Sequence, residues 1–298
     1  MELTMQTKLS DRMPNISNAV AKLNEDICGI WDNAYPKAAI DAYNEYRSAK
    51  ARAKGKTWVP VRHFAPVQYP DLVFPPTYGN ERLDTEPAVV AHDAVSTLES
   101  ERLQLLLFIG LNPSSPDTNV LADLHDYGAR NEKYSEIVSH EAKVWSNYDT
   151  YFGPIRSFRT PLYKYHVDVF AIRHTNAKVI EDFMNGAWTA NPQERSTVQD
   201  FFIQQFNALH TFLQSVCPSQ AIVINALAGR IFTGALNHGI PYNENSDMWT
   251  SEPARIQLGN WPTYMHSSGM MSSGNMDNGS KTRLEAVSYA IHKRGTLL

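Results

Sequence analysis

The chain has 298 residues, 43% of them apolar, which is enough for one large domain, or one domain with a substantial extension, around a sizeable core. A formal net charge of only -4 neither demands nor forbids a nucleic-acid partner, so any DNA-binding surface has to be a local basic stripe. The two cysteines, Cys28 and Cys217, form no Cys-x-x-Cys pair, which excludes a four-cysteine zinc or iron–sulfur site; no metal and no cofactor are expected.

The N-terminal stretch MELTMQTKLSDRMP has no apolar run of signal-peptide length. No segment is long and uncharged enough to span a bilayer. Two lone thiols fit a reducing compartment and read as small buried hydrophobes. The expectation is a soluble, cytoplasmic, monomeric protein without a membrane partner.

Residues 15–54 read as two helices. Ile16, Val20, Leu23, Ile27 and Ile30 recur at helical spacing. Pro36 is placed to open the second helix, which carries Ile40 and Tyr43 on one stripe. A basic stretch follows, with Arg47, Lys50, Arg52, Lys54, Lys56 and Arg62 and no acid from Tyr46 to Arg62. Lys50 and Arg52 are its candidate DNA-backbone contacts; a solvated helix surface explains the same run. Residues 59–90 are proline-rich and read as extended and irregular.

At Leu103 the character changes. Leu105–Ile109 is a continuous apolar run, as expected of a parallel strand buried on both faces. Similar runs are Val167–Ile172, Ala221–Ile224 and, less pure, Trp261–Met265. Between the second and third, Val198, Phe201, Phe202, Phe206, Leu209, Leu213 and Val216 mark the buried stripe of a strong helix. Thr282–Glu285 has the capping-box pattern of a last helix, with Leu284, Val287 and Ile291 expected inward. Strands separated by helices predict a parallel sheet with helices on both faces, and in such sheets ligands bind at the carboxyl ends of the strands.

Gly110-Leu111-Asn112-Pro113-Ser114 follows the first strand. Gly110 permits close approach to the backbone, and Pro113 biases Asn112 out of the helical region, presenting its amide at the strand's mouth. The segment also reads as a plain strand-to-helix turn with a cap. Met265-His266-Ser267-Ser268-Gly269-Met270 ends the fourth strand. A histidine, two hydroxyls and a glycine there can bind an anion through backbone N–H groups; a structural histidine on a loop is the alternative. The segment Gly274–Thr282 imitates a phosphate-binding loop, but its lysine is one residue late and no strand precedes it.

Together the two segments resemble the uracil-DNA glycosylase superfamily. Gly110–Ser114 is similar to the first motif of its mismatch-specific and thymine branch, Gly-Ile-Asn-Pro-Gly. His266–Met271 is similar to the second motif, His-Pro-Ser-Pro-Leu in the classical branch and Met-Pro-Ser-Ser-Ser in the thymine branch. A Val-Ile-Asn-Ala-Leu-Ala turn at residues 223–228 lies between them. Ser114 stands where the first motif has glycine or tyrosine, and the second motif lacks its proline. Aligning histidine with histidine makes His266 the catalytic position; the thymine-branch alignment puts Met265 there. The first also places Met270 at the wedge position.

The resemblance covers roughly residues 103–294. It implies an α/β fold, a three-layer sandwich around a short, mainly parallel sheet of the uracil-DNA glycosylase type over residues 101–298. Residues 1–100 form a helical and irregular N-terminal extension outside it. The implied activity is a monofunctional DNA glycosylase, since no lysine lies in either motif. Asn112 would orient the attacking water and His266 would donate a hydrogen bond toward the base O2. Ser114, Ser267, Ser268 and Gly269 would contact DNA, Met270 or Met271 would wedge into the vacated stack, and Tyr151 or Phe152 would stack on the base; core packing accounts equally for these methionines and aromatics.

In the iron–sulfur branch of the family the second strand reads Asn, four residues, then Arg-Pro-Pro. Here Asp168 followed by Arg173-His174-Thr175 fits that spacing. An ionised aspartate only accepts hydrogen bonds, so it suits the amino group of a cytosine-type base and disfavours uracil. The other reading is a strand-edge ion pair with Arg173. The expected substrate is therefore a damaged or modified pyrimidine, a 5-modified cytosine above others, in repair or in defence against phages. The rival functions are a non-catalytic nucleic-acid-binding protein on the same fold and an N-glycosidase of free nucleosides or nucleotides.

Overall fold

A computed structural model describes residues 7–8, 14–57, 65–66, 69, 72–74, 76–77, 105–111, 155, 157–173, 177–238, 254–258, 261–268 and 278–295. In chain order the elements are β1 (Thr7–Lys8), α1 (Pro14–Ala34), α2 (Lys37–Arg52), β2 (Ala65–Pro66), β3 (Leu72–Val73) and β4 (Leu105–Gly110). They continue with β5 (Tyr163–Asp168), β6 (Ile172–Arg173), α3 (Ala177–Met184), α4 (Pro192–Val216) and β7 (Gln220–Val223). The last are α5 (Ala226–His238), β8 (Ala254–Leu258), β9 (Trp261–Ser267) and α6 (Asn278–Gly295).

Among the described residues the main sheet has the order β5-β4-β7-β9-β8. β5, β4, β7 and β9 run parallel, and β8 pairs antiparallel with β9 at one edge. The parallel pairings follow from composition. All six residues of β4 and all four of β7 are buried, which only a strand covered on both faces tolerates.

In-register pairing assigns side chains to two faces, because successive residues of a strand point opposite ways. Leu107 aligns with Tyr165 and Ala221, and Ala221 with Met265. This face packs into one apolar cluster with Ile16, Val20, Leu23 and Ile27 of α1, the apolar stripe of α4, and Leu227, Ile231 and Phe232 of α5. The N-terminal helices thus share the core of the α/β unit. On α1, Trp31 stacks on Tyr35 and meets Phe201 of α4 edge to face.

The opposite face carries Leu106, Phe108 and Gly110 of β4, Lys164, His166 and Asp168 of β5, Gln220 and Ile222 of β7, and Tyr264 and His266 of β9. α6 reaches this face near the amino ends of the strands, where Gln220 Nε2 donates to the Ser288 carbonyl at 2.9 Å. Glu285 accepts from the Arg159 backbone N–H at 3.0 Å, and Lys281 Nζ donates to Ser157 Oγ at 2.7 Å.

Four expectations change. The second strand is Tyr163–Asp168, not Val167–Ile172; the chain leaves the sheet after Asp168, and Ile172–Arg173 pairs instead with Ala65–Pro66. α6 begins at Asn278, so Thr282–Glu285 lies inside the helix, and Glu285 and Ser288 face inward while Val287 is exposed. β8 and α3 belong to no apolar pattern singled out in the sequence. Cys217 is buried at the C-cap of α4, but Cys28 is only half-buried, with its thiol 3.7 Å from Asp32 Oδ2.

The N-terminal extension is ordered around the edge of the sheet where it is described. Phe74 exchanges backbone hydrogen bonds with Lys164, and Thr77 with Thr160, so this proline-rich segment covers the outer edge of β5. α1 has no run that could cross a bilayer, and no described helix is long and apolar enough to do so.

Candidate active site

Two strands, β5 and β9, bring polar side chains to one face at their carboxyl ends, and β4 between β5 and β7 contributes Gly110 there. His166 aligns across the sheet with Phe108, Ile222 and His266. One step further on, Asp168 aligns with Gly110, and beyond β9 Ser268 continues the pairing by donating its N–H to the Val223 carbonyl at 2.7 Å. All of His166, Asp168, His266 and Ser268 are buried. β5 and β7 flank β4 on opposite sides, so the chain's connections diverge at the carboxyl end of β4, where parallel sheets bind their ligands.

The β4–β5 register explains Gly110. A Cβ there would overlap Asp168 Oδ1 and lie 3.1 Å from His166 Nε2. The space a side chain would take holds the carboxylate of Asp168 rather than an approaching ligand. His166 Nε2 is 3.5 Å from Asp168 Oδ1. Burial pushes His166 down to about 3, so its ring is neutral at physiological pH and brings no positive charge to the carboxylate. His166 is the site residue that the sequence did not reveal: it lies ahead of the apolar run taken for the strand, and only the true extent of β5 puts it two residues from Asp168 on the same face.

Burial also pushes His266 down to about 4. Its Nε2 is buried and has no hydrogen-bond partner among the described residues. Met265, the alternative in the second motif, points to the opposite face and belongs to the apolar core.

Lys164 lies on the same face, four residues before Asp168 and so roughly 13 Å along the strand. It is fully buried, donates to Thr77 Oγ1 at 2.6 Å and to the Phe158 carbonyl at 3.1 Å, and desolvation lowers it to about 7. Its Nζ is engaged in holding the edge segment. Among the described residues no three His, Cys, Asp or Glu side chains cluster as a metal would require.

The remaining expected site residues divide as follows. Asn112, Ser114, Tyr151, Phe152, Gly269, Met270 and Met271 lie outside the described residues, as does the side chain of Ser267. The Ser268 N–H is spent on Val223, so it is not available to an anion in that turn. The side chain of Arg173, the other suggested partner of Asp168, is likewise outside the described residues. Arg47 pairs with Asp182 of α3 at 2.6 Å, which removes it from the free basic stripe. Lys50 and Arg52 are exposed in the last turn of α2, where cations also favour the helix dipole, and Lys50 rests over the Tyr46 ring.

No protein-family model matches this chain, and no curated protein matches it.

Proposed function

We propose that the chain is a monofunctional DNA glycosylase of the uracil-DNA glycosylase type, which flips a damaged or modified pyrimidine out of DNA and hydrolyses its N-glycosidic bond. The observation that carries this reading is the placement of Gly110, Asp168 and His266 on one face of a parallel sheet near the carboxyl ends of three strands, with His266 one same-face step before the paired Gly110 and Asp168. Both motif segments of the resemblance start from those ends, and Asn112 follows the last residue of β4 by two positions.

In this reading water attacks C1′ as the bond from C1′ to the base nitrogen breaks. The base leaves as an anion and the proton of the water is released. Asn112 orients the water, which an amide can do without being a strong base. His266 donates from a neutral ring toward the base O2 as negative charge gathers there; a neutral imidazole is a competent electrophile in a buried site. Its position on the Asp168 face favours the histidine alignment over Met265. Lys164 is too deeply engaged to attack the sugar, which supports a hydrolase that leaves an abasic site rather than a lyase.

Asp168 would read the base. An ionised carboxylate accepts from the amino group of a cytosine-type base and repels the O4 of uracil. His166 Nε2 lies 3.5 Å from Asp168 Oδ1 on the same face. A 5-modified cytosine is therefore the proposed substrate class. The test is an abasic-site assay on duplexes carrying uracil, mispaired thymine or 5-substituted cytosine. Alkali-labile product with the wild-type protein and none with Asn112→Ala supports the reading. DNA binding without product supports a binding protein, and turnover of free nucleosides alone supports a monomer N-glycosidase.

A further inference from the structure

Asp168 is the last residue of β5, an edge strand, so its backbone N–H and C=O face outward, where no further strand of the main sheet pairs with them. One hydroxyl meets both. Tyr69 Oη accepts from the Asp168 N–H at 3.1 Å and donates to the Asp168 carbonyl at 3.1 Å. A phenol can do this because it carries one donor and also accepts. Tyr69 is itself buried, and its own backbone is clamped: its N–H donates to Asn24 Oδ1 at 2.8 Å, and Asn24 Nδ2 donates to its carbonyl at 2.9 Å. Asn24 belongs to α1, whose apolar stripe is fixed in the core.

We propose that Tyr69, held by Asn24, is a positioning residue that sets the base contact of Asp168, which makes the N-terminal extension part of base recognition. The inference rests on the reading of Asp168 as the base-contacting group. Its physical ground is the geometry of a strand end. A terminal edge residue frays unless its backbone groups are bonded, and the carboxylate of Asp168, which fills the space a side chain at Gly110 would need, moves with its backbone. The hydrogen bonds from Val169 to Gly110 and from Phe170 to Leu111 hold the inner side of this turn, and Tyr69 holds the outer side.

The test compares wild type, Tyr69→Phe, Asn24→Ala and Asp168→Asn on duplexes carrying a 5-substituted cytosine or uracil. The readout is the ratio of the two kcat/KM values. A ratio measured on one preparation is independent of the folded fraction, so a merely structural loss lowers Tm and leaves the ratio unchanged. The expected result is that Tyr69→Phe and Asp168→Asn each lower the ratio, on the order of tenfold, and that Asn24→Ala lowers it in the same direction. If Asp168→Asn lowers the ratio and Tyr69→Phe does not, the positioning role is wrong and the base-reading role of Asp168 stands. If Asp168→Asn leaves the ratio unchanged, or wild type excises no base, the reading of Asp168 fails and the role of Tyr69 falls with it.

Discussion

Gly110 and Asp168 face each other across the β4–β5 register, and the carboxylate of Asp168 occupies the space a side chain at Gly110 would need. The glycine of the first motif is thereby tied to the residue that would read the base. Gly110→Ala should displace both Asp168 Oδ1 and His166 Nε2. Overpacking of this kind costs about 1–3 kcal/mol. Base excision should fall more steeply than that loss of stability accounts for. Urea unfolding alongside initial rates separates the two, and an alanine variant with full activity would contradict the arrangement.

Replacing Asp168 by asparagine keeps its size and adds a donor. The variant should lose preference for cytosine-type bases and gain uracil excision relative to wild type. Competition between two labelled duplexes in one tube reads the change. An unaltered preference would mean that the carboxylate does not contact the base.

The two buried histidines predict an acid-sensitive fold. Both have folded pKa values below the ordinary histidine value of 6.5, His166 at about 3 and His266 at about 4, because burial disfavours their charged forms. The unfolded chain then binds more protons than the folded one between 6.5 and each folded value, so stability is full above pH 6.5 and is lost as pH falls toward 4 for His266 and toward 3 for His166. The loss is on the order of a few kcal/mol for each ring. His266→Asn should flatten part of this slope in a pH series of denaturant unfolding. Over pH 7–8 neither ring changes charge, so neither contributes a pH dependence to the rate there.

Lys50 and Arg52 are the exposed cations of the α2 end, and Arg47 is not, because Asp182 holds it. If the stripe tracks the DNA backbone, binding should weaken steeply with salt. Replacing both residues by glutamine should reduce the slope of log K against log salt by about 2, close to one unit for each phosphate that is no longer neutralised. The Arg47→Gln variant should instead lower Tm with the salt slope unchanged.

The strands that announce themselves are those whose every residue is apolar. β4 and β7 were legible because burial on both faces leaves no polar alternation. β5 was only half legible, since Lys164 and His166 interrupt its apolar character. Their burial depends on Thr77 and Gly110, which are distant in sequence, and on the Phe158 carbonyl six residues back in a segment without a regular pattern. α6 was misphased for a similar reason. Glu285 imitates a capping box, yet it is buried because the Arg159 N–H needs an acceptor. In the site, Gly110, Asp168 and His266 could be found from strand ends and motif spacing. Tyr69 could not, because its link to Asp168 spans 99 residues and joins a proline-rich segment to a strand edge.

The central claim is that this chain releases a pyrimidine from DNA by hydrolysis. The most direct measurement is mass spectrometry of both products after incubation with a duplex carrying a single 5-substituted cytosine. The account predicts the free base in solution and an otherwise intact strand bearing an abasic site, with neither product formed by Asn112→Ala. An unchanged duplex across the cytosine, uracil and mispaired-thymine series, or product that persists in the Asn112→Ala protein, would contradict it.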